Sequence, residues 1–173
     1  MAVNVSARQL FHATFHDEVA EALRQTGVPA CDLELEITES ALAMDFARAL
    51  DVVNRIKKLG VHFAIDDFGT GTSTLARMKH FPVDSLKIDR SFIGDLPHDR
   101  SDSAIVSAIV SMAHDLGLSV VAEGVETAEQ ASIVRELGCD EQQGHYYARP
   151  MPAEQIELYL RRSRNLEPQQ KIC

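Results

Sequence analysis

Two adjacent carboxylates, Asp66 and Asp67, run directly into Phe68-Gly69-Thr70-Gly71 after the apolar stretch Val61-His62-Phe63-Ala64-Ile65. That stretch reads as a buried strand, which puts the pair at a strand end beside a glycine-rich loop. Neighbouring like charges oppose each other's ionisation, so both stay charged where a cation, usually a hard metal ion, lies between them. A solvated turn is the structural alternative. The chemistry that such a pair supports is divalent-metal binding and, through it, phosphoryl transfer.

Further polar groups stand where other strand-like runs stop. Asn4 closes the first run, Glu36 lies near the end of the second, and Lys87 and Asp89 follow at the fourth. Glu123 and Glu126 stand at the fifth, and Gln143 opens the sixth. Strands of a parallel sheet all deliver their C-termini to one edge, so these side chains converge there. One asparagine with several carboxylates, and no ordered His or Cys set, makes an all-oxygen site suited to Mg²⁺ or Mn²⁺. Asp66 is placed to bridge two such ions, and a lysine beside them orients water or stabilises charge on a phosphate. Taken singly, Glu36 and Glu39 also suit the first turn of a helix, Asn4 a cap, and Lys87 or Gln143 the surface.

The elements that must position these groups alternate regularly. Strands are expected over Ala2 to Val5, Leu33 to Ile37, Val61 to Ile65, Ser85 to Ile88, Ser119 to Ala122 and Gly144 to Tyr147. Helices are expected over Phe11 to Thr26, Asp45 to Leu59, Ser73 to His80, Asp102 to Leu116, Ala128 to Leu137 and Ala153 to Arg162. Gly27, Gly60, Gly117 and Gly138 mark helix ends, and Thr127 with Gln130 forms a capping box. Six βα units suit a parallel sheet with right-handed crossovers, either doubly wound or a barrel of the (β/α)8 kind. No Gly-x-Gly-x-x-Gly follows a strand, which weakens the dinucleotide-fold option, while the chain is short for a complete barrel.

The composition is that of a globular α/β domain: 45% apolar and 25% charged over 173 residues. Seventeen basic residues against 26 acidic ones give a formal charge of -9, which disfavours nucleic-acid polymers and anionic membrane surfaces. A phosphate ligand therefore calls for cations that invert the local field. No apolar run is long enough to span a bilayer, and no signal peptide follows Met1. Cys31, Cys139 and Cys173 are far apart and read as reduced thiols of a cytoplasmic protein. Residues 164–173 read as a flexible tail.

The ordered motifs Val3-Asn4-Val5-Ser6, Leu35-Glu36-Ile37-Thr38-Glu39, Asp66-Asp67-Phe68-Gly69-Thr70-Gly71, Lys87-Ile88-Asp89, Ala122-Glu123-Gly124-Val125-Glu126 and Gln143-Gly144 resemble the EAL-domain family of cyclic di-GMP phosphodiesterases. The resemblance runs to about Tyr159 and assigns residues 1–163 to an EAL domain. It implies an incomplete TIM-barrel-like α/β fold, a modified barrel with one reversed strand, and Mg²⁺- or Mn²⁺-dependent opening of cyclic di-GMP to linear pGpG, with Ca²⁺ inhibitory. The alternative within the family is an inactive module that binds the dinucleotide or regulates a partner.

By the same resemblance Asn4, Glu36, Asp66 and Asp67 are metal ligands, and Glu123 supports the second metal. Lys87 and Gln143 place the attacking water or the phosphate. Glu39 braces the loop from Asp67 to Ser73, which couples dimer contacts to the site, and Glu126 is a second brace. Arg149 and Pro150 lie near the guanine-binding surface. A homodimer or a pairing with another EAL domain is implied as well. The Glu-Ala-Leu motif itself is absent, and its glutamate and two strands are expected to precede Met1.

Overall fold

The computed structural model describes the backbone of residues 1–70 and 78–164 and the side chains of 1–70 and 78–161. Six strands form one sheet in sequential order: β1 (Ala2–Val5), β2 (Glu34–Thr38), β3 (His62–Phe68), β4 (Ser85–Ile88), β5 (Ser119–Glu123) and β6 (Glu141–Gln143). All five neighbouring pairs are parallel, so the reversed strand implied by the family resemblance is not among the described ones. The helices are α1 (Ala7–Leu10), α2 (Phe15–Thr26), α3 (Glu39–Met44), α4 (Phe46–Lys57), α5 (Ser91–Gly94), α6 (Arg100–Asp115), α7 (Ala128–Glu136) and α8 (Ala153–Arg164). Sequential parallel order with helical crossovers makes an open segment of a barrel.

Register divides the sheet into two chemically distinct faces. Leu35, Ile37, Phe63, Ile65, Leu86, Ile88, Val120 and Ala122 are buried in the core, which also takes in Val53 and Ile56 of α4 and Val106, Val110 and Ala113 of α6. The alternate residues along each strand are Asn4, Glu36, Asp66, Lys87, Glu123 and Gln143, which therefore share the opposite face. A strand face that is polar at one end and a face that is uniformly apolar explain why the runs look almost continuously hydrophobic yet end in charge.

Most boundaries fall where local chemistry puts them. Thr127 and Gln130 form the expected capping box at the start of α7, and Asp45 caps α4 by accepting from the backbone N–H of Arg48. Ser6 and Gln9 form a second box that starts α1, a helix not expected from the sequence, and the helix expected over Phe11 to Thr26 starts only at Phe15. The sixth strand is a correction: it covers Glu141–Gln143, not Gly144 to Tyr147. Aromatic β-formers drew the expectation toward Tyr146 and Tyr147, but there the backbone turns, with Tyr147 N–H bonded to Gly144 O at 3.1 Å. The helix expected over Ser73 to His80 lies, up to residue 77, outside the described residues, as do the tail from 165 and Cys173. Cys31 and Cys139 are free thiols; burial pushes that of Cys139 up to about 11.

At the N-terminal end of the sheet Asp84 ties three elements together. Its carboxylate accepts from Lys57 Nζ at 2.6 and 2.7 Å and from the Phe63 N–H at 2.8 Å, while its carbonyl accepts from the Ser119 N–H at 3.1 Å. Burial opposes its charge, but Lys57 and the Phe63 N–H hold the carboxyl below the usual aspartate range. A depressed folded value means that the stabilisation is complete above the unfolded pKa of about 4 and drains away as pH falls through the folded value. Asp84→Asn should cost about 2 kcal/mol at pH 7. Melting temperatures from pH 2.5 to 7 should show that the variant lacks part of the acid limb of the wild-type curve.

Candidate active site

The six same-face groups stand at the C-terminal edge of the sheet, and three of them, Glu36, Asp66 and Glu123, surround the ammonium of Lys87. Lys87 Nζ lies 2.7 Å from Glu36 Oε1, 2.6 Å from Glu123 Oε1 and 3.3 Å from Asp66 Oδ1. All of Glu36, Asp66 and Lys87 are buried. Burial alone would strip the charge from Lys87, yet its bonds to Glu123 and Glu36 outweigh that and hold it above the ordinary lysine range. Glu123 moves the other way: desolvation lifts its pKa, assisted by repulsion from Asp66 and Glu36 and opposed by Lys87.

A register shift explains how neighbours Asp66 and Asp67 serve one centre. Between the pairs Ile65↔Leu86 and Phe68↔Ile88, two residues of β3 stand opposite Lys87 alone. Such a bulge inserts one residue and re-aims the chain. Asp67 takes the extra position in the left-handed region, at φ 54, which is uncommon for a residue with a side chain. Its N–H donates to Asp66 Oδ1 at 3.1 Å. Desolvation, then repulsion from Asp66 and Asp89, raises the Asp67 carboxyl. Left-handed backbone and like charge at one point make this turn a candidate functional position.

Two oxygen groups emerge, and Asp66 belongs to both. One joins Asp66, Asp67 and Glu123, whose ligand atoms lie within 4.8 Å of one another. The other joins Asn4, Glu36 and Asp66: the amide atom of Asn4 facing this centre is 3.3 Å from Glu36 Oε2 and 3.2 Å from Asp66 Oδ2. With its nitrogen there, Asn4 donates to both carboxylates. With its oxygen there, three oxygens face one another and a cation must lie between them. Neighbouring oxygens of an octahedral Mg²⁺ shell are about 3 Å apart, so this spacing suits a small hard ion. Four carboxylates against one ammonium also leave negative charge that only cations can offset. The residues therefore fit a divalent-metal centre.

The surrounding residues fix this arrangement. Glu39, buried in the first turn of α3, accepts the Gly69 N–H at 3.3 Å on Oε2, and so ties α3 to the turn after Asp67. Residues 71–73 of the loop that it was expected to brace lie outside the described residues. Glu126 is exposed and stands 4.0 Å from His145 Nδ1. Gln143 ends β6 in register with Glu123. Gly144 lets the chain turn there, because a Cβ would lie 2.0 Å from Val125 O. Gln130 of α7 accepts from the N–H groups of Glu126 and Thr127 and donates to Gly94 O, which fixes the β5–α7 loop against α5.

A cleft of about 610 Å³ adjoins the centre and is lined by Asp67, Glu123 and Gln143, with Arg149, Pro150, Ile156 and Tyr159 among its other residues. The buried Glu36, Asp66 and Lys87 and the exposed Asn4 do not line it. Asp67, Glu123 and Gln143 are thus the site residues that face the cleft. Sequence reading placed Asp89 at the same strand end without a role; its carboxylate accepts from the Ser91 N–H at 2.9 Å and caps the turn into α5. Gln130 and Arg90 were not singled out; only the capping-box pattern gave a signal, for Gln130.

The chain matches the model of the EAL domain over residues 1–150 and belongs to that family. It is 47% identical over 161 residues to the cyclic di-GMP phosphodiesterase NbdA of Pseudomonas aeruginosa, a match that covers 93% of this chain and 21% of that protein. It superposes on the PaMucR phosphodiesterase in complex with c-di-GMP with a TM-score of 0.86 and 47% identity, covering 90% of this chain and 63% of that one. The manganese/cyclic di-GMP complex of Klebsiella pneumoniae BlrP1 gives a TM-score of 0.80 at 31% identity, covering 86% of this chain and 38% of that one. The chain spans about a fifth of the length of the curated relatives it matches. Among the described residues no helix is long and apolar enough to cross a membrane.

Proposed function

We propose that this chain carries the catalytic centre of a cytoplasmic, metal-dependent phosphodiesterase that opens cyclic di-GMP to linear pGpG. The observation that carries this reading is the convergence of Asn4, Glu36, Asp66, Asp67 and Glu123 around Lys87 on one sheet face. Asn4, Glu36 and Asp66 would hold one Mg²⁺ or Mn²⁺, and Asp66, Asp67 and Glu123 a second. Such a pair supplies Lewis acidity and a potent nucleophile at neutral pH.

The chain's own groups supply the rest. Lys87, kept charged by its carboxylate partners, holds a water or phosphate oxygen near the centre and offsets charge that develops on phosphorus. Gln143, a donor and acceptor beside Glu123, orients the incoming water. That water's oxygen forms the new bond to phosphorus, and the ribose 3′ oxygen departs with a proton, leaving a 5′-phosphate and a 3′-hydroxyl. Arg149 and Pro150 contribute the guanine-side wall of the cleft. Glu39 holds the turn at Gly69, and so the strained Asp67, in place, and Glu126 steadies the cleft mouth beside His145. Pairing with a second copy or another EAL domain, communicated through the loop after Asp67, sets the activity. Calcium inhibits because its larger, more flexible shell does not keep the oxygens in place.

The test is incubation with cyclic di-GMP and Mn²⁺, with products separated by chromatography. Linear pGpG should form, and excess Ca²⁺ or a chelator should stop it. Dinucleotide binding in Ca²⁺ without any linear product in Mn²⁺, even at high protein concentration, would reject hydrolysis and leave the non-catalytic binding module. Absence of binding as well would reject both readings.

A further inference from the structure

The cleft contains a second arginine that no motif assigned. Arg90 follows Asp89 at the exit of β4, lines the cleft, and is exposed. Neither Arg90 nor Arg149 forms an ion pair among the described residues, although Asp67, Asp89, Glu123 and Glu126 line the same cleft. Asp89, its nearest neighbour in sequence, accepts from the Ser91 N–H and feels the Arg90 charge without closing an ion pair with it.

The backbone of Arg90 is held firmly. Its carbonyl accepts from the Ile93 and Gly94 N–H groups at 3.1 and 2.9 Å. Its stem passes over Gly124, where a Cβ would meet Arg90 Cβ at 2.5 Å and where φ is 72. Gly124 is thus the residue that lets the arginine stem sit directly beside Glu123. A guanidinium without an ion pair among the described residues, on a stem held beside a carboxylate centre, can serve as a phosphate fork: planar, permanently charged and able to donate two parallel hydrogen bonds.

A cyclic dinucleotide carries two phosphodiesters, and only one can occupy the carboxylate centre. We infer that Arg90 is a positioning residue that holds the second, uncut phosphodiester, so that the ring presents the other one to the centre. The inference rests on the functional reading above. It makes Arg90 a selector for substrates with two phosphates and leaves bond cleavage to the carboxylates and Lys87. Gly124 acts through it, as the residue that allows its approach.

The test compares Arg90→Ala, Arg90→Lys and Gly124→Ala with wild type in two assays. Calorimetry of cyclic di-GMP in Ca²⁺ at two salt concentrations reads binding, and turnover of bis(p-nitrophenyl) phosphate in Mn²⁺ reads a substrate with a single phosphodiester. Arg90→Ala should weaken cyclic di-GMP binding about 10- to 100-fold and flatten its salt dependence, while single-phosphodiester turnover stays within about twofold. Arg90→Lys should recover part of the binding by retaining charge, and Gly124→Ala should weaken it by displacing the stem. Equal binding by wild type and Arg90→Ala overturns the inference alone. So does an equal loss on both substrates, which marks a structural role, or an unchanged salt dependence in Arg90→Ala, which marks base recognition rather than a phosphate contact. Failure of wild type to bind cyclic di-GMP overturns the functional reading and this inference with it.

Discussion

Lys87→Met should destabilise the metal-free protein by about 3–5 kcal/mol, because it leaves three neighbouring carboxylates without their shared cation. Glu36, Asp66 and Glu123 all lie within 3.3 Å of the Lys87 ammonium, and Glu36 and Asp66 are buried. The pH dependence should also steepen. In the wild type desolvation, assisted by repulsion from Asp66 and Glu36, already lifts the Glu123 carboxyl against the opposing pull of Lys87, and the variant removes that opposition. A group of that kind stabilises the fold as pH falls. Denaturant unfolding of the variant should therefore show stability rising from pH 7 toward pH 5, with no comparable gain in wild type. Mn²⁺ should restore part of the loss, since a cation replaces the missing charge, but hydrolysis should not return.

Asp66→Asn should do the opposite to the fold and as much to the chemistry. Asp66 raises the ionisation cost of both Asp67 and Glu123, so neutralising it relieves repulsion in the metal-free state. The variant should melt no lower than wild type without metal. Wild type should gain about 5–10 °C when Mn²⁺ reaches a hundredfold excess over its dissociation constant. The variant should gain almost nothing, because Asp66 belongs to both oxygen groups. Turnover of cyclic di-GMP should fall on the order of 10³-fold, as for loss of a principal electrostatic group. A variant that kept the full Mn²⁺-dependent shift in melting temperature would show that Asp66 is not shared between ions. The pair of substitutions would separate two proposed roles that burial alone does not: charge compensation among the carboxylates by Lys87, and metal binding by Asp66.

Most of the fold was legible in the chain because its signals are local. Apolar runs ended by charge placed five of the six strands, and Ser, Thr and Asp caps with glycine stops placed most of the helices. The candidate ligands were legible for a related reason: a carboxylate at the end of an apolar run has no packing role to play. Gly144 to Tyr147 misled because aromatic residues favour strands wherever they lie, whereas strand pairing is decided by the neighbour β5. Lys87 between Leu86 and Ile88 was expected to converge with the carboxylates at the strand ends, but its direct ion pairs with Glu36, Asp66 and Glu123 had no local signal, since none of them is near it in sequence.

By itself, then, the sequence determined the alternation of strands and helices, the inventory of candidate oxygen ligands and the edge of the sheet at which they emerge. Tertiary structure decided which face each group shares. The bulge opposite Lys87 turns Asp66 and Asp67 toward one centre, although neighbouring residues in a regular strand point apart. It also decided that Arg90 lies over Gly124 in the cleft without an ion pair among the described residues. Register, bulges and close approaches between loops depend on pairing across tens of residues, and no local pattern encodes them.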